Sequence, residues 1–283
     1  MSYKKALITD VDNTLFDWFS IWHASFTAML DKTLEISGVD RATLVTEMRA
    51  VFQKHHTSEY SFVLEECPSL VAIYGKNIRT CLSSAIEAYR KARESKLFLY
   101  PSVESTLSTL KNNGIKIVAY TESLQYYTVA RLEALNIHHL LDVLYSPPDN
   151  ENIHIQKRTK TVAAPLLRKE LTPPGTLKPS PEILLSIIHH LDLTPEEVIY
   201  VGDSEFKDIS MANDAKVESV WAKYGTPHFE QRKDDYLLLQ TVSHWSDAHI
   251  QKEITTKSGL SRPVPEYTIS AFSEILPFFG VKS

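Results

Sequence analysis

Short apolar runs alternate with helical periodicity along much of this chain. Ala6-Leu7-Ile8-Thr9 is a continuous apolar run that stops abruptly at Asp10. An unbroken run of this kind predicts a strand covered on both faces, as in a parallel sheet. Ile115 to Tyr120 repeats the pattern and ends in Thr121; Val198 to Val201 repeats it again and ends in Gly202-Asp203. Val103 to Asn112 reads as a helix stopped by Gly114. Ser180-Pro181-Glu182 and Thr194-Pro195-Glu196-Glu197 read as helix starts, since proline suits a first turn. Strands alternating with helices predict a doubly wound, Rossmann-like parallel sheet, in which ligands gather beyond the carboxyl ends of the strands.

The stretch from about Phe16 to Phe98 has a different texture. Of the chain's 14 prolines only Pro68 lies there, and its glycines are Gly38 and Gly75. Phe19, Trp22, Phe26 and Met29/Leu30 share one helical face, as do Leu44, Met48 and Phe52. Asn77 to Lys96 forms a third amphipathic stretch, with Ile78, Leu82, Ala85 and Tyr89 on one side. The expected organisation is an α/β core of residues 1–16 and 99–283 with an inserted α-helical domain at 17–98. Two further segments exceed a minimal core. Residues 147–177 are proline-rich and read as a long loop. Residues 227–265 read as an addition with a helix around Asp234 to Ile250, followed by a last strand at Tyr267-Thr268 and a closing helix at Ile269 to Ile275.

Composition narrows the class. With 43% hydrophobic and 23% charged residues the chain can build a substantial core. A net charge of -5 and the lack of a basic stripe give no reason to expect nucleic acid. The short basic stretch Lys157, Arg158, Lys160 reads as a solvated loop. Cys67 and Cys81 form no CxxC pair, so a zinc site is not expected and two reduced thiols are. The first apolar run is too short for a signal peptide or a membrane span, and a cytoplasmic location is expected. Nothing in the sequence sets the oligomeric state.

Candidate chemistry clusters at the strand ends. In Asp10-Val11-Asp12-Asn13-Thr14, two carboxylates can face one pocket when the chain turns sharply off a strand. Asp10 would then be a nucleophile and Asp12 a general acid and base. An isolated pair of this kind is better explained as a turn or a helix cap, but this pair is not isolated. Thr121 could hold a phosphoryl oxygen through its hydroxyl. Lys178, in Leu177-Lys178-Pro179-Ser180-Pro181, could neutralise phosphate and nucleophile together. Gly202-Asp203-Ser204-Glu205-Phe206-Lys207-Asp208 adds carboxylates of the hard kind that suits Mg²⁺.

The order of DxDxT, strand-Thr, Lys-Pro-x-Pro and GDSxxxD resembles the four motifs of the haloacid-dehalogenase-like superfamily, over roughly Lys5 to Phe16 and Tyr100 to Trp221. The resemblance implies a Rossmann-like core with a mobile helical cap and an Mg²⁺-dependent phosphohydrolase acting on a small-molecule phosphate ester. By the same resemblance Asp10 is the nucleophile and a metal ligand, and Asp12 is the acid/base whose backbone carbonyl also binds metal. Thr121 and Lys178 hold phosphate, Asp203 is the third ligand, and Asp208 orients a metal-bound water or Lys178. An aspartate at position 12 points to phosphoester hydrolysis, because an alkoxide leaving group needs a proton and a halide does not. Two positions depart from the pattern: Asn13 stands where glycine is common, and Glu122 where asparagine is frequent. Glu122 is expected either to point away from the phosphate or to select a substrate with a positive group.

A phosphomutase, a phosphonate hydrolase and a catalytically silent binding protein are the competing readings. The phosphonate enzyme would need a cap lysine poised to form a Schiff base; Lys54 is a candidate that nothing else in the sequence supports. Trp22 is expected in core packing and Trp18 near the hinge. His55-His56, His138-His139 and His189-His190 are expected on solvated faces or interfaces, because adjacent helical histidines diverge. Lys54, Tyr60 and Arg79 are expected to be exposed helix polarity.

Overall fold

The computed structural model describes residues 3–149, 167–227, 231–257 and 262–281. Lys157, Arg158 and Lys160 lie outside them. The chain divides into two compact units, one of residues 1–17, 98–227 and 255–283, the other of residues 18–97 and 228–254.

The first unit is built on a seven-stranded, wholly parallel sheet: β1 (Ala6–Thr9), β2 (Lys116–Tyr120), β3 (Val143–Ser146), β4 (Arg168–Leu171), β5 (Val198–Gly202), β6 (Glu218–Ala222) and β7 (Tyr267–Ile269). The strand order is β4-β3-β2-β1-β5-β6-β7. The unbroken apolar runs become the central strands because every residue of β1 and β5 is buried. One face of the sheet, through Ala6, Ile8, Val118, Tyr120, Val198 and Tyr200, packs on Leu184, Ile187 and Ile188 of the helix Pro181–His190 and on Met211 and Ala212. Each such large apolar side chain contributes about 1.5–3 kcal/mol on burial. The register sets Thr9 of β1 beside Ala119 of β2 and Val201 of β5. Asp10, Thr121 and Asp203 therefore leave three adjacent strands at the same edge. After β1 the chain turns and pairs Phe16 antiparallel with Leu99, so the insertion departs and returns through one short ribbon.

The sequence pattern missed several elements here. The run Thr194 to Glu197 starts no long helix. It closes as a single 3-10 turn (Pro195–Glu197) with a capping box and then enters β5, because the β-branched residues that follow fit a buried strand. The loop expected at 147–177 contains β4, an edge strand of largely exposed residues that carries no apolar run to betray it. The closing segment is the 3-10 helix Phe272–Phe279, with Pro277 inside it.

The second unit is helical. Its long members are Trp18–Ser37, Arg41–His55, Ser83–Glu94 and Lys233–Val242. Arg41–His55 is opened by Asp40, whose side chain accepts from the Thr43 N–H at 3.0 Å, and closed by His56 in the left-handed conformation. Phe19, Trp22, Phe26, Leu44, Met48 and Phe52 meet in one core, as the periodicity implied. The third expected helix is divided at Leu82 into Ile78–Cys81 and Ser83–Glu94. Likewise the stretch from Asp234 to Ile250 is two helices, Lys233–Val242 and Asp247–Lys257. Residues 231–254 group with the helical insertion and not with the core to which the sequence pattern assigns them. The cause is the apolar face of Lys233–Val242: Tyr236, Leu239 and Val242 complete the helical core. Arg49 fixes that helix by donating to its last-turn carbonyls, Gln240 O at 2.9 Å and Thr241 O at 2.8 Å.

Candidate active site

β1 delivers Asp10 to the sheet edge, where its N–H donates to Val201 O at 2.8 Å. The chain then doubles back, and Thr14 Oγ1 donates to Asp10 Oδ2 at 3.1 Å. The reversal puts Asn13 at φ 59°, a left-handed conformation that asparagine tolerates better than most residues. That is why Asn13 can stand where glycine is common. The same turn is covered by Gly225: a Cβ there would lie 2.0 Å from Asn13 O. Tyr224 OH donates to Thr14 O at 2.7 Å and ties the two loops.

Lys178 reaches the same point from the segment preceding the helix Pro181–His190. Its Nζ donates to Asp10 Oδ1 at 2.6 Å and to Asp208 Oδ1 at 2.9 Å, with its side chain 1% exposed. The rings of Tyr120 and Tyr200 flank the ammonium, with centroids at 4.8 Å and 5.5 Å. Asp208 sits on a π-helical turn, Glu205–Ile209, just beyond β5. It accepts from Tyr200 OH at 2.8 Å and from the Ser204 N–H at 3.0 Å. Gly202 permits this approach, since a Cβ there would lie 2.3 Å from the Asp208 carboxyl carbon. Asp203, next along the loop, is held through its carbonyl by Trp221 Nε1 at 2.8 Å.

Asp10, Asp203 and Asp208 are all buried and offer carboxylate oxygens within 4.8 Å of one another. Burial pushes the Asp10 carboxyl up, Lys178 pulls it back, and Asp208 and Asp12 push it up again, to about 7. Burial also works against the Lys178 ammonium, but Asp10 and Asp208 outweigh it and hold its pKa well above the usual lysine range. Three carboxylates face one ammonium, a formal excess of two negative charges. Hard oxygen donors with that excess fit a divalent cation such as Mg²⁺.

Thr121 ends β2 and is 2% exposed; its Oγ1 accepts from the Ser123 N–H at 3.0 Å, which leaves the hydroxyl proton for another acceptor. Asp12 is turned elsewhere: Ser123 Oγ donates to its Oδ2, and Arg131 Nη2 lies 3.3 Å from its Oδ1. Arg131 is 6% exposed and also lies over the Phe16 ring at 5.7 Å. Neither Ser123 nor Arg131 was found from sequence. Ser123, two residues past Thr121, carried a positional signal; Arg131, inside the helix Gln125–Ala134, reads like any exposed helical arginine. Glu122 is turned onto protein donors, the first of its two expected courses. Its Oε1 accepts from the Lys178 N–H at 2.9 Å, and its Oε2 pairs with Lys207 Nζ, so the positive group it meets belongs to the protein.

In the helical unit, His55 and Tyr60 are buried rather than exposed, because both bind one carboxylate. Glu66 Oε1 lies 2.9 Å from His55 Nε2 and accepts from Tyr60 OH at 2.8 Å, and the two rings stack at 3.6 Å. Lys54 and Arg79 are exposed, paired with Glu66 and Glu65. Trp22 is a core residue, 2% exposed, and Trp18 packs partly buried against the same core. Cys67 is buried and Cys81 exposed.

A parallel sheet with a carboxylate–ammonium–carboxylate cluster at its carboxyl edge defines a Rossmann-like hydrolase. A family model described as haloacid dehalogenase-like hydrolase matches residues 4–216, and the chain belongs to that family. It is 27% identical over 244 residues to a glyceraldehyde 3-phosphate phosphatase of Methanopyrus kandleri, covering 82% of this chain and 89% of that protein. It is 27% identical to the phosphoglycolate phosphatase of Escherichia coli (strain K12) over 48% of this chain, which spans only 44% of that relative. Among solved structures, a HAD phosphatase from Thermococcus onnurineus shares the fold with a TM-score of 0.55 at 16% identity, covering 98% of this chain and 99% of that one. A 2-haloacid dehalogenase from Pseudomonas syringae pv. Tomato DC3000 does so at 0.56 and 16%, covering 98% of each chain. The chain is an enzyme of the phosphatase kind within this family. No helix among the described residues is long and apolar enough to cross a membrane.

Proposed function

We propose that the enzyme hydrolyses small-molecule phosphomonoesters in two steps, with the phosphoryl group carried on Asp10. The observation that carries this reading is the buried Lys178 bridging Asp10 and Asp208, with Asp203 within carboxylate reach. Asp10 attacks phosphorus, and the bond from phosphorus to the ester oxygen breaks. Asp12 gives that oxygen its proton, then takes one from the water that hydrolyses the aspartyl phosphate and frees inorganic phosphate. Thr121 and Lys178 hold the non-bridging oxygens. Asp208, already engaged by three donors, holds Lys178 in place. Asp10, Asp203 and the Asp12 carbonyl would hold Mg²⁺, which neutralises charge on the carboxylate and phosphoryl oxygens when bound. The helical insertion stands in the sequence where the family resemblance implies a cap. Glyceraldehyde 3-phosphate and phosphoglycolate, for which two relatives are named, are the first substrates to try. A cytoplasmic location goes with such metabolites.

Phosphate release from a panel of phosphomonoesters tests the reading. Release with Mg²⁺ should cease in excess chelator and fall about 10³-fold or more in Asp10→Asn. Undiminished release under either condition would overturn it.

A further inference from the structure

One carboxylate joins its own loop to two others at the candidate phosphate site. Glu122 stands on the loop after β2, between Thr121 and Ser123. Its Oε1 accepts from the backbone N–H of Lys178 at 2.9 Å, in the segment that carries the ammonium held against Asp10. Its Oε2 accepts from Lys207 Nζ, on the turn that carries Asp208. The two paired side chains are only 20% and 21% exposed. Burial opposes the charge of Glu122, yet Lys207 and Lys178 outweigh it and hold the carboxyl below its ordinary range. Both oxygens are committed to protein donors, so the carboxylate is not presented to an incoming phosphate.

We propose that Glu122 is a positioning residue with two separable tasks: its acceptor oxygen sets the backbone of Lys178, and its negative charge balances Lys207. The inference rests on the phosphatase reading of the site. The two tasks come apart because glutamine keeps one acceptor oxygen for the Lys178 N–H and loses the charge, its NH2 leaving the partly exposed Lys207 ammonium to solvent, whereas alanine loses both. Removing the charge makes the surroundings of Thr121 and Lys178 one unit more positive, which favours a bound dianion. Removing the acceptor leaves the Lys178 N–H without its partner and frees the loop.

The test uses the full chain as wild type, Glu122→Gln, Glu122→Ala, Lys207→Gln and the Glu122→Gln/Lys207→Gln pair. Readouts are kcat and KM on p-nitrophenyl phosphate with Mg²⁺, inhibition by inorganic phosphate, and hydrogen exchange at the Lys178 amide. Glu122→Gln should bind phosphate several-fold more tightly, and the double variant should return to the wild-type value. Glu122→Ala should lose about tenfold more kcat than Glu122→Gln. Its Lys178 amide should exchange faster, while that of Glu122→Gln stays protected. Unchanged phosphate affinity in Glu122→Gln, or equal protection of the amide in both variants, would overturn the proposal. A wild type that releases no phosphate from any ester would instead sink the phosphatase reading. Exchange at Lys178 and calorimetric binding of inorganic phosphate would still decide the role of Glu122.

Discussion

Each unit of the molecule contains a charged hub, and the two are balanced in opposite ways. At the sheet edge, carboxylates outnumber cations: Asp10 and Asp208 share Lys178, Asp203 lies within 4.8 Å of both carboxylates, and Asp10 is pushed up to about 7. In the helical unit, donors outnumber carboxylates. Burial opposes the charge of Glu66, but hydrogen bonds from Lys54, His55 and Tyr60 outweigh it and hold the carboxyl at about 2. A hub with surplus donors is complete as it stands and fastens the loop after Arg41–His55 to the short helix Val63–Glu66. A hub with surplus negative charge takes up protons or cations, and perturbed carboxylates of this kind cluster at functional sites.

Removing the shared cation should break this contrast most severely. Lys178→Met leaves two buried carboxylates without their ammonium and should cost about 3–5 kcal/mol in chemical denaturation. Because the deficit is one of positive charge, saturating Mg²⁺ should recover part of the loss. No recovery would mean that the carboxylates are not a cation site. A smaller effect concerns the leaving group. Asp12→Ala should slow the first step on an alkyl phosphate about a hundredfold more than on p-nitrophenyl phosphate, whose phenolate needs little help. Arg131→Ala, which loosens Asp12 without removing it, should show the same bias in weaker form. Single-turnover kinetics on the two esters measure both, and equal losses on the two would leave Asp12 a structural residue.

The helical hub should give the smallest response, and only in acid. The Glu66 pKa is depressed on folding, so its stabilisation is present above the unfolded value of 4.5 and is lost as pH falls toward about 2. Its side chain is 26% exposed, so solvent screening keeps the effect modest. Urea midpoints taken near neutrality and between those two pH values should converge for wild type and Glu66→Gln as pH falls. A difference that persists unchanged would assign the stabilisation to packing of His55 on Tyr60 rather than to charge.

Abrupt endings of apolar runs marked the candidate site at the level of the chain. A buried parallel strand has no local use for a terminal Asp or Thr, so Asp10, Thr121 and Asp203 stood out against their neighbours, and the register of β1, β2 and β5 carries all three to one edge. Helical periodicity likewise marked the faces of Trp18–Ser37 and Arg41–His55, because one side of each helix must be dry. Other features carry no local signature. Strand β4 is exposed and polar, and only pairing with β3 makes it a strand. Lys233–Val242 belongs with the helical unit because its partners, Phe19 among them, lie some two hundred residues away in sequence. Arg131 beside Asp12 and Glu122 between Lys178 and Lys207 are contacts between segments far apart along the chain. Sequence by itself fixed which residue types end the strands, since burial acts on each run separately. Which charges meet, and whether each hub is balanced or in deficit, was decided only by the tertiary structure, because electrostatic balance depends on distances that no single segment contains.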